Sequence, residues 1–284
     1  MKRLAPSLLL LALVAFHPGW SRASEQPSPE YSIEAIRFGT IPQFRVASLV
    51  VGADAAERLD IATVVWLIRG GGRNILFDTG YHRTTPGFDR FKTTDYIKPD
   101  EAVALAGVPA SQVTDVIISH VHWDHMGGLD LFPSATIWIQ RDEYEYYMGR
   151  SWQPGETRGA DLEDLVTLLR QNAAGKVRLI DGDDREIIPG IRAYTGARHT
   201  FASQYLRIAG TPTFVLASDN CYLYRNLDTK APIAQTFAAA DRTANVAAFD
   251  RMVTLAGARE RVVPGHDPLQ FERYPSKGRV AKIK

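Results

Sequence analysis

The sequence predicts an α+β fold in which two β-rich halves, with helices interspersed, form one domain. Three observations carry that prediction. Runs of β-branched and aromatic residues recur from Tyr31 onward with glycine-rich breaks between them, helical patterns enter from Asp100, and no repeat, low-complexity block or linker interrupts the chain after residue 30.

Residues 1–23 read as a signal peptide rather than as part of the fold. Met1-Lys2-Arg3 is a short cationic start, Leu4 to Phe16 is an apolar run, and Ser21-Arg22-Ala23 fits a small-x-small cleavage site. The run is shorter than the ~20 residues needed to span a bilayer. The expectation is therefore cleavage near Ala23, no stable membrane insertion afterwards, and a periplasmic or secreted protein. Residues 24–30 are polar and proline-containing and read as a flexible tail ahead of a single domain over 31–284.

Within that domain, Tyr31 to Phe38, Phe44 to Val51, Ile61 to Arg69 and Asn74 to Phe77 predict a meander of strands, the last two parted by Gly70-Gly71-Gly72. Asp100 to Ala106 is a short helix with Asp100 as its cap. Val116 to Ser119 is a mostly apolar strand that runs straight into His120. Thr136 to Ile139 is a strand, followed by Arg141 to Met148, whose charges and tyrosines suit an exposed helix. Leu162 to Gln171 and Ala244 to Ala256 are stronger helices, the second with Val246, Phe249, Val253 and Ala256 on one face. Ile191 to Thr195, Gln204 to Ile208 and Thr213 to Ala217 complete the strands.

Composition narrows the chemistry. Of 284 residues, 33 are Lys or Arg and 32 Asp or Glu, so the chain lacks the basic footprint of a nucleic-acid binder. Removing Lys2, Arg3 and Arg22 with the leader leaves 30 basic residues against 32 acidic ones. A single cysteine, Cys221, excludes an internal disulfide framework, a Cys-rich zinc site and CxxC redox chemistry. Cys221 itself reads as a small buried hydrophobe.

The histidines are where the chemistry lies. His120-Val121-His122-Trp123-Asp124-His125-Met126-Gly127-Gly128 places three histidines and an aspartate directly after a strand. In extended chain, side chains at i, i+2 and i+4 share one side, so His120, His122 and Asp124 converge while His125 points elsewhere. One loop can thus serve two metals, with Gly127 and Gly128 permitting a tight backbone turn behind it. Trp123, between two of these residues, either lines a cleft mouth or packs.

HVHWDH resembles the HxHxDH signature of the metallo-β-lactamase superfamily, and Ile75-Leu76-Phe77-Asp78-Thr79-Gly80 resembles that family's early DTG turn. The resemblance implies a four-layer αββα sandwich and two divalent metal ions, with zinc the leading metal. It implies His120, His122 and His199 on one metal, Asp124, His125 and His266 on the other, and Asp219 bridging. Asp78 would support the metal loop. A narrower likeness, to the N-acyl homoserine lactonases, rests on Leu59-Asp60-Ile61, on Ile139-Gln140-Arg141-Asp142-Glu143-Tyr144-Glu145, on Gly265-His266-Asp267, and on Tyr222 three residues beyond Asp219. In that branch a tyrosine at this offset projects over the metals and donates to the substrate. The implied reaction is hydrolysis of a lactone or ester by a hydroxide held between the metals, with Asp124 relaying a proton and Tyr222 donating.

The chain departs from the family's TPGH before the third ligand, having Gly196-Ala197-Arg198-His199. Arg198 either points into the cleft toward a substrate carboxylate or is solvated or paired with an acid. Three further functions stay open: a β-lactamase, a thioester hydrolase on the same ligands, and a metal-binding or interaction protein without activity. Tyr144, Tyr146, Tyr147 and Trp152 form an aromatic cluster suited to a homodimer interface or to an acyl pocket.

Overall fold

A computed structural model describes residues 29–156 and 159–284. The leader, and the tail as far as residue 28, lie outside the described residues. Strands β1 (Ser32–Arg45), β2 (Arg58–Gly70) and β3 (Arg73–Phe77) form an antiparallel meander, its β2–β3 turn made possible by positive φ at Gly71 and Gly72. Helices α1 (Pro86–Arg90) and α2 (Pro99–Leu105) lead to β4 (Asp115–Ile117), then α3 (Trp123–Met126), β5 (Thr136–Gln140), α4 (Arg141–Met148), α5 (Leu162–Ala173) and β6 (Val177–Ile180). From β3 to β6 the pairing is parallel. The second sheet comprises β7 (Arg185–Ile188), β8 (Ile191–Tyr194), β9 (Tyr205–Ile208), β10 (Phe214–Ser218) and β11 (Val262–Pro264), with α6 (Tyr224–Thr229) and α7 (Arg242–Ala256) between its last two strands. After α8 (Gln270–Arg273), β12 (Ser276–Lys277) and β13 (Val280–Lys282) return to the first sheet, whose order is β12-β13-β1-β2-β3-β4-β5-β6.

The layering follows from which strand faces are apolar. Ile33, Trp66, Ile75 and Phe77 of the first sheet pack against Ile191, Leu206, Ile208 and Leu216 of the second. The outer face of the first sheet, through Leu67, Leu76, Val116 and Ile139, is covered by Val103 of α2, Tyr147 of α4 and Leu168 of α5. The second sheet's outer face buries Tyr205, Val215 and Val262 against Phe249 and Met252 of α7. Two sheets packed face to face with helices on both outsides make the αββα sandwich.

Several local expectations change. Only the first residues of Phe44 to Val51 are strand: after Arg45 the chain forms a 3-10 turn at Val46–Ser48, so that Val46, Leu49 and Val50 enter the core beneath α7 instead of extending a sheet. The short second helix starts at Pro99 with Lys98 in the N-cap position and no side-chain cap, so Asp100 lies inside its first turn. Helix α4 is not an exposed helix: Glu143, Tyr144, Tyr146 and Tyr147 are all buried. Helix α7 buries Asn245, Ala248, Phe249, Met252 and Ala256, one position round from the expected face. The reason is Asn245, whose amide donates to the carbonyls of Ala197 and Asn220 and accepts from Ile233 N. His266 follows β11, and two further strands come after it.

Candidate metal centre

Five strand ends meet at one rim of the sandwich. Asp78 follows β3, His120 and His122 follow β4, His199 follows β8, Asp219 follows β10 and His266 follows β11. Helix α3, one turn long, carries Asp124 and His125 back over this rim. Close backbone approach explains two glycines here. A Cβ on Gly265 would stand 2.8 Å from Asp219 Oδ1, and one on Gly128 would stand 2.4 Å from the Thr79 carbonyl oxygen. Gly127 and Gly128 serve such contacts; neither has the positive φ that a left-handed turn would need.

All seven side chains singled out as ligands come together in two adjoining groups, His120, His122, His199 and Asp219 in one, Asp124, His125, His266 and Asp219 in the other. In the first, His122 Nδ1 lies 3.1 Å from His120 Nε2 and 2.9 Å from His199 Nε2, and Asp219 Oδ2 is 3.8 and 3.5 Å from the latter two nitrogens. In the second, Asp219 Oδ1 lies 3.2 Å from His125 Nε2 and 2.9 Å from His266 Nε2, while Asp124 Oδ2 is 3.5 and 3.6 Å from the same atoms. Asp219 thus turns one oxygen to each group. Donors at about 2.0–2.1 Å from a tetrahedral cation stand about 3.3–3.4 Å from one another, and both groups have that spacing.

The outward nitrogens of four histidines are held. His120 Nδ1 meets Ser119 Oγ at 2.8 Å, His125 Nδ1 meets Asp78 Oδ2 at 2.8 Å, His199 Nδ1 meets the Gln235 carbonyl at 2.8 Å and His266 Nδ1 meets the Ala62 carbonyl at 2.9 Å. A carbonyl or carboxylate takes a ring N–H and leaves the opposite nitrogen bare for a metal. Asp78 also accepts from Ser119 N, Ser119 Oγ and Ser218 Oγ, fixing the loop in one place. Asp78 and Ser218 both sit at positive φ, +66° and +47°, backbone strain of a kind that collects at functional sites.

Electrostatics sort the two groups. Burial first, then mutual repulsion, holds His120 far below the usual imidazole range and pushes His122 down to about 3. His199 is lowered by burial as well. Burial acts in the same sense on His125 and His266, yet Asp219 and Asp124 outweigh it and both are raised. Asp219 and Asp124 are held low against their burial, chiefly by His125. His125 Nε2 and Asp219 Oδ1 are buried with no hydrogen-bond partner. Five imidazoles and two carboxylates with so few protons to share fit two divalent cations, whose charge satisfies the bare nitrogens and oxygens.

A cleft of about 80 Å³ opens over both groups. His122, Asp124, Asp219, Tyr222 and His266 form its floor, and Ile41, Phe44, Leu49, Ile61, Phe91 and Trp123 its apolar wall. Trp123 does two things at once, lining this wall while stacking on Phe91 and tilting over Tyr81. Tyr222 Oη is 3.4 Å from His199 Nδ1, and burial followed by Asp219 and Asp124 raises its pKa far above the usual phenol, so it stays a donor. Arg198, at φ +60°, turns away: it pairs with Asp241 at 3.3 Å and lies over the rings of Phe201 and Phe237. Cys221 is buried among apolar side chains, its thiol raised by burial, and belongs to neither group. His82 pairs with Asp130 away from both groups. Tyr144, Tyr146 and Tyr147 are packed in the core beside α5 and line no part of the cleft.

Some supporting groups carry no sequence signal. The carbonyls of Ala62 and Gln235 are backbone atoms that any residue could supply. Phe44 and Phe91 reach the cleft from segments far apart in sequence. Glu143 stands in a stretch of the lactonase likeness, but its contacts with the loops of two ligands appear only in three dimensions.

Known proteins resemble both the chain and the fold. The model of the metallo-beta-lactamase superfamily matches residues 59–266. The N-acyl homoserine lactonase AiiB of Agrobacterium fabrum is 24% identical over 241 residues, which cover 76% of this chain and 83% of that protein. A quorum-quenching N-acyl homoserine lactone lactonase superposes with a TM-score of 0.68 at 21% identity, over 86% of this chain and 95% of that one. AidC, a dizinc quorum-quenching lactonase in complex with a product, gives 0.62 at 18% identity, over 85% and 89%. With most of its length matched, both metal-ligand groups included, the chain belongs to the metallo-beta-lactamase superfamily.

Proposed function

We propose that this metal-dependent hydrolase opens N-acyl homoserine lactones by hydrolysis, and that it does so after export to the periplasm or the exterior. One observation carries the substrate: Tyr222, a protonated donor, packs against His199 of one ligand group and His266 of the other, in a cleft whose remaining lining is largely apolar. A neutral ring ester with an aliphatic tail matches such a cleft. Among the described residues the lining includes no Lys or Arg to meet the carboxylate of a β-lactam. The curated relative AiiB and the similar solved structures are named as lactonases, which supports the same substrate class.

His120, His122, His199 and Asp219 would hold one ion and Asp124, His125, His266 and Asp219 the other. Two divalent ions supply, when bound, Lewis acidity for the ester carbonyl and a water acidified toward neutral pH. The apolar wall takes the acyl chain and keeps bulk water from the ring. Asp124, ionised and facing the cleft, takes the proton released as water adds to the carbonyl carbon. Tyr222 Oη donates a hydrogen bond to an ester oxygen, stabilising charge as it develops. When the acyl–oxygen bond breaks, that proton passes to the ring oxygen, leaving an alcohol and a carboxylic acid that gives its own proton to solvent and becomes the carboxylate.

Purified, zinc-loaded protein should open lactones of several acyl lengths and leave a chromogenic cephalosporin untouched. Absence of ring opening across the series would overturn the substrate, and cephalosporin turnover would install a β-lactamase in its place. The leader-like sequence at residues 1–23 supports export. Cell fractionation of the full-length chain checks that directly, with mature protein starting near residue 24 expected outside the cytoplasm.

A further inference from the structure

Glu143 lies in the first turn of α4, fully buried, and no ion pair is formed with it among the described residues. A carboxyl in such a place is costly unless it is well bonded. Its partners are the Val121 N–H at 3.2 Å and the Thr200 hydroxyl at 2.6 Å on Oε1, and the Ala202 N–H at 2.7 Å on Oε2. Val121 sits between His120 and His122, and Thr200 follows His199. One side chain therefore ties together the two loops that carry the three histidines of a single group. No hydrogen bond joins it to Asp124, His125, Asp219 or His266 or to their immediate neighbours. Asp78 is arranged differently, bonding His125 directly and reaching His120 through Ser119.

We infer that Glu143 is a positioning residue for one metal position only, setting affinity at His120, His122 and His199 while leaving the position of Asp124, His125 and His266 unchanged. The inference rests on the two-metal reading of the centre and not on which ester is cleaved. Its geometry is that of an acceptor with both oxygens engaged. In Glu143→Gln, the amide N–H group must face either Ala202 N–H or Val121 N–H, so at least one loop loses its anchor while the volume stays constant. Loss of a group that orients metal ligands costs about 10–100-fold in metal affinity.

The test uses the chain from residue 24 onward loaded with zinc, titrated with a competing chelator, and examined by anomalous diffraction at the zinc edge. Wild type should hold two ions. Glu143→Gln should hold one as tightly as wild type and the other about 10–100-fold more weakly, with the lost density at His120, His122 and His199. Unchanged affinity for both ions, equal weakening of both, or loss at His266 would each overturn the inference. If the variant does not fold, Thr200→Val decides, because it removes one of the three donors at constant shape: a smaller loss at the same position supports the inference, and full occupancy there overturns it. A wild type that holds fewer than two ions would bring down the two-metal reading and this inference with it, whereas a failed lactone assay would leave the result standing.

Discussion

The ligand group of His120, His122 and His199 meets one carboxylate, Asp219, whereas that of His125 and His266 shares Asp219 and adds Asp124. The difference shows in the imidazoles. The first three are all lowered and stay neutral, while the carboxylates raise the other two. It shows again in the supports. The first position leans on Glu143 and on the Gln235 carbonyl, the second on Asp78 and on the Ala62 carbonyl. Two neighbouring sites drawn from one rim therefore differ in net ligand charge, and Asp219 is the group they share.

Asp219→Ala removes that shared group and should have the largest effect. Both ions are expected to be lost or weakened together, with lactone opening down by about 1,000-fold or more, since metal activation supplies several kcal/mol. His199→Ala and His266→Ala should each empty one position and leave the other occupied. Metal analysis of the three purified variants checks this: independent loss in the two histidine variants with joint loss in Asp219→Ala sustains the comparison, and joint loss in all three breaks it.

How much of this was legible in the sequence depends on what each feature demands. HVHWDH was readable because metal ligation needs scarce side chains at fixed spacing, and His199, Asp219 and His266 came with the family likeness. Backbone supports were not readable, because the Ala62 and Gln235 carbonyls are independent of side chain. Helix α4 misled for a physical reason. Its charges and tyrosines alternate as on an exposed helix, yet tyrosines bury their rings readily and Glu143 buries a carboxyl because two loops supply its donors. Val46 to Val51 misled through composition: β-branched residues there fill the core under α7 from a turn.

Tyr222→Phe separates chemistry from metal binding and should have a smaller effect. The hydroxyl bonds no ligand atom that faces a metal, so both ions should remain. Losing one buried donor to the substrate should lower kcat/KM by about 10–100-fold. Steady-state kinetics alongside metal analysis distinguishes this from the ligand variants; lost zinc would move Tyr222 from the chemistry to the support of His199.

Arg198→Gly should have the smallest effect, because the backbone strain it relieves opposes the contacts it removes. Glycine relieves a left-handed backbone that costs a non-glycine residue about 1–2 kcal/mol. Against that stand the half-buried pair with Asp241, about 0.2–1 kcal/mol, the stacking on Phe201 and Phe237, about 0.5–1 kcal/mol at exposed sites, and the hydrogen bond its guanidinium donates to the Phe201 carbonyl. Net stability should move by no more than about 1 kcal/mol in either direction, read from the melting curve. Because the guanidinium points at Asp241 and not into the cleft, KM for neutral lactones should hold steady. A KM that rises only for substrates bearing a carboxylate would mean that Arg198 swings into the cleft when such a substrate binds. The family's usual glycine and this chain's arginine would then differ in specificity, and not merely in how each reaches the same backbone turn.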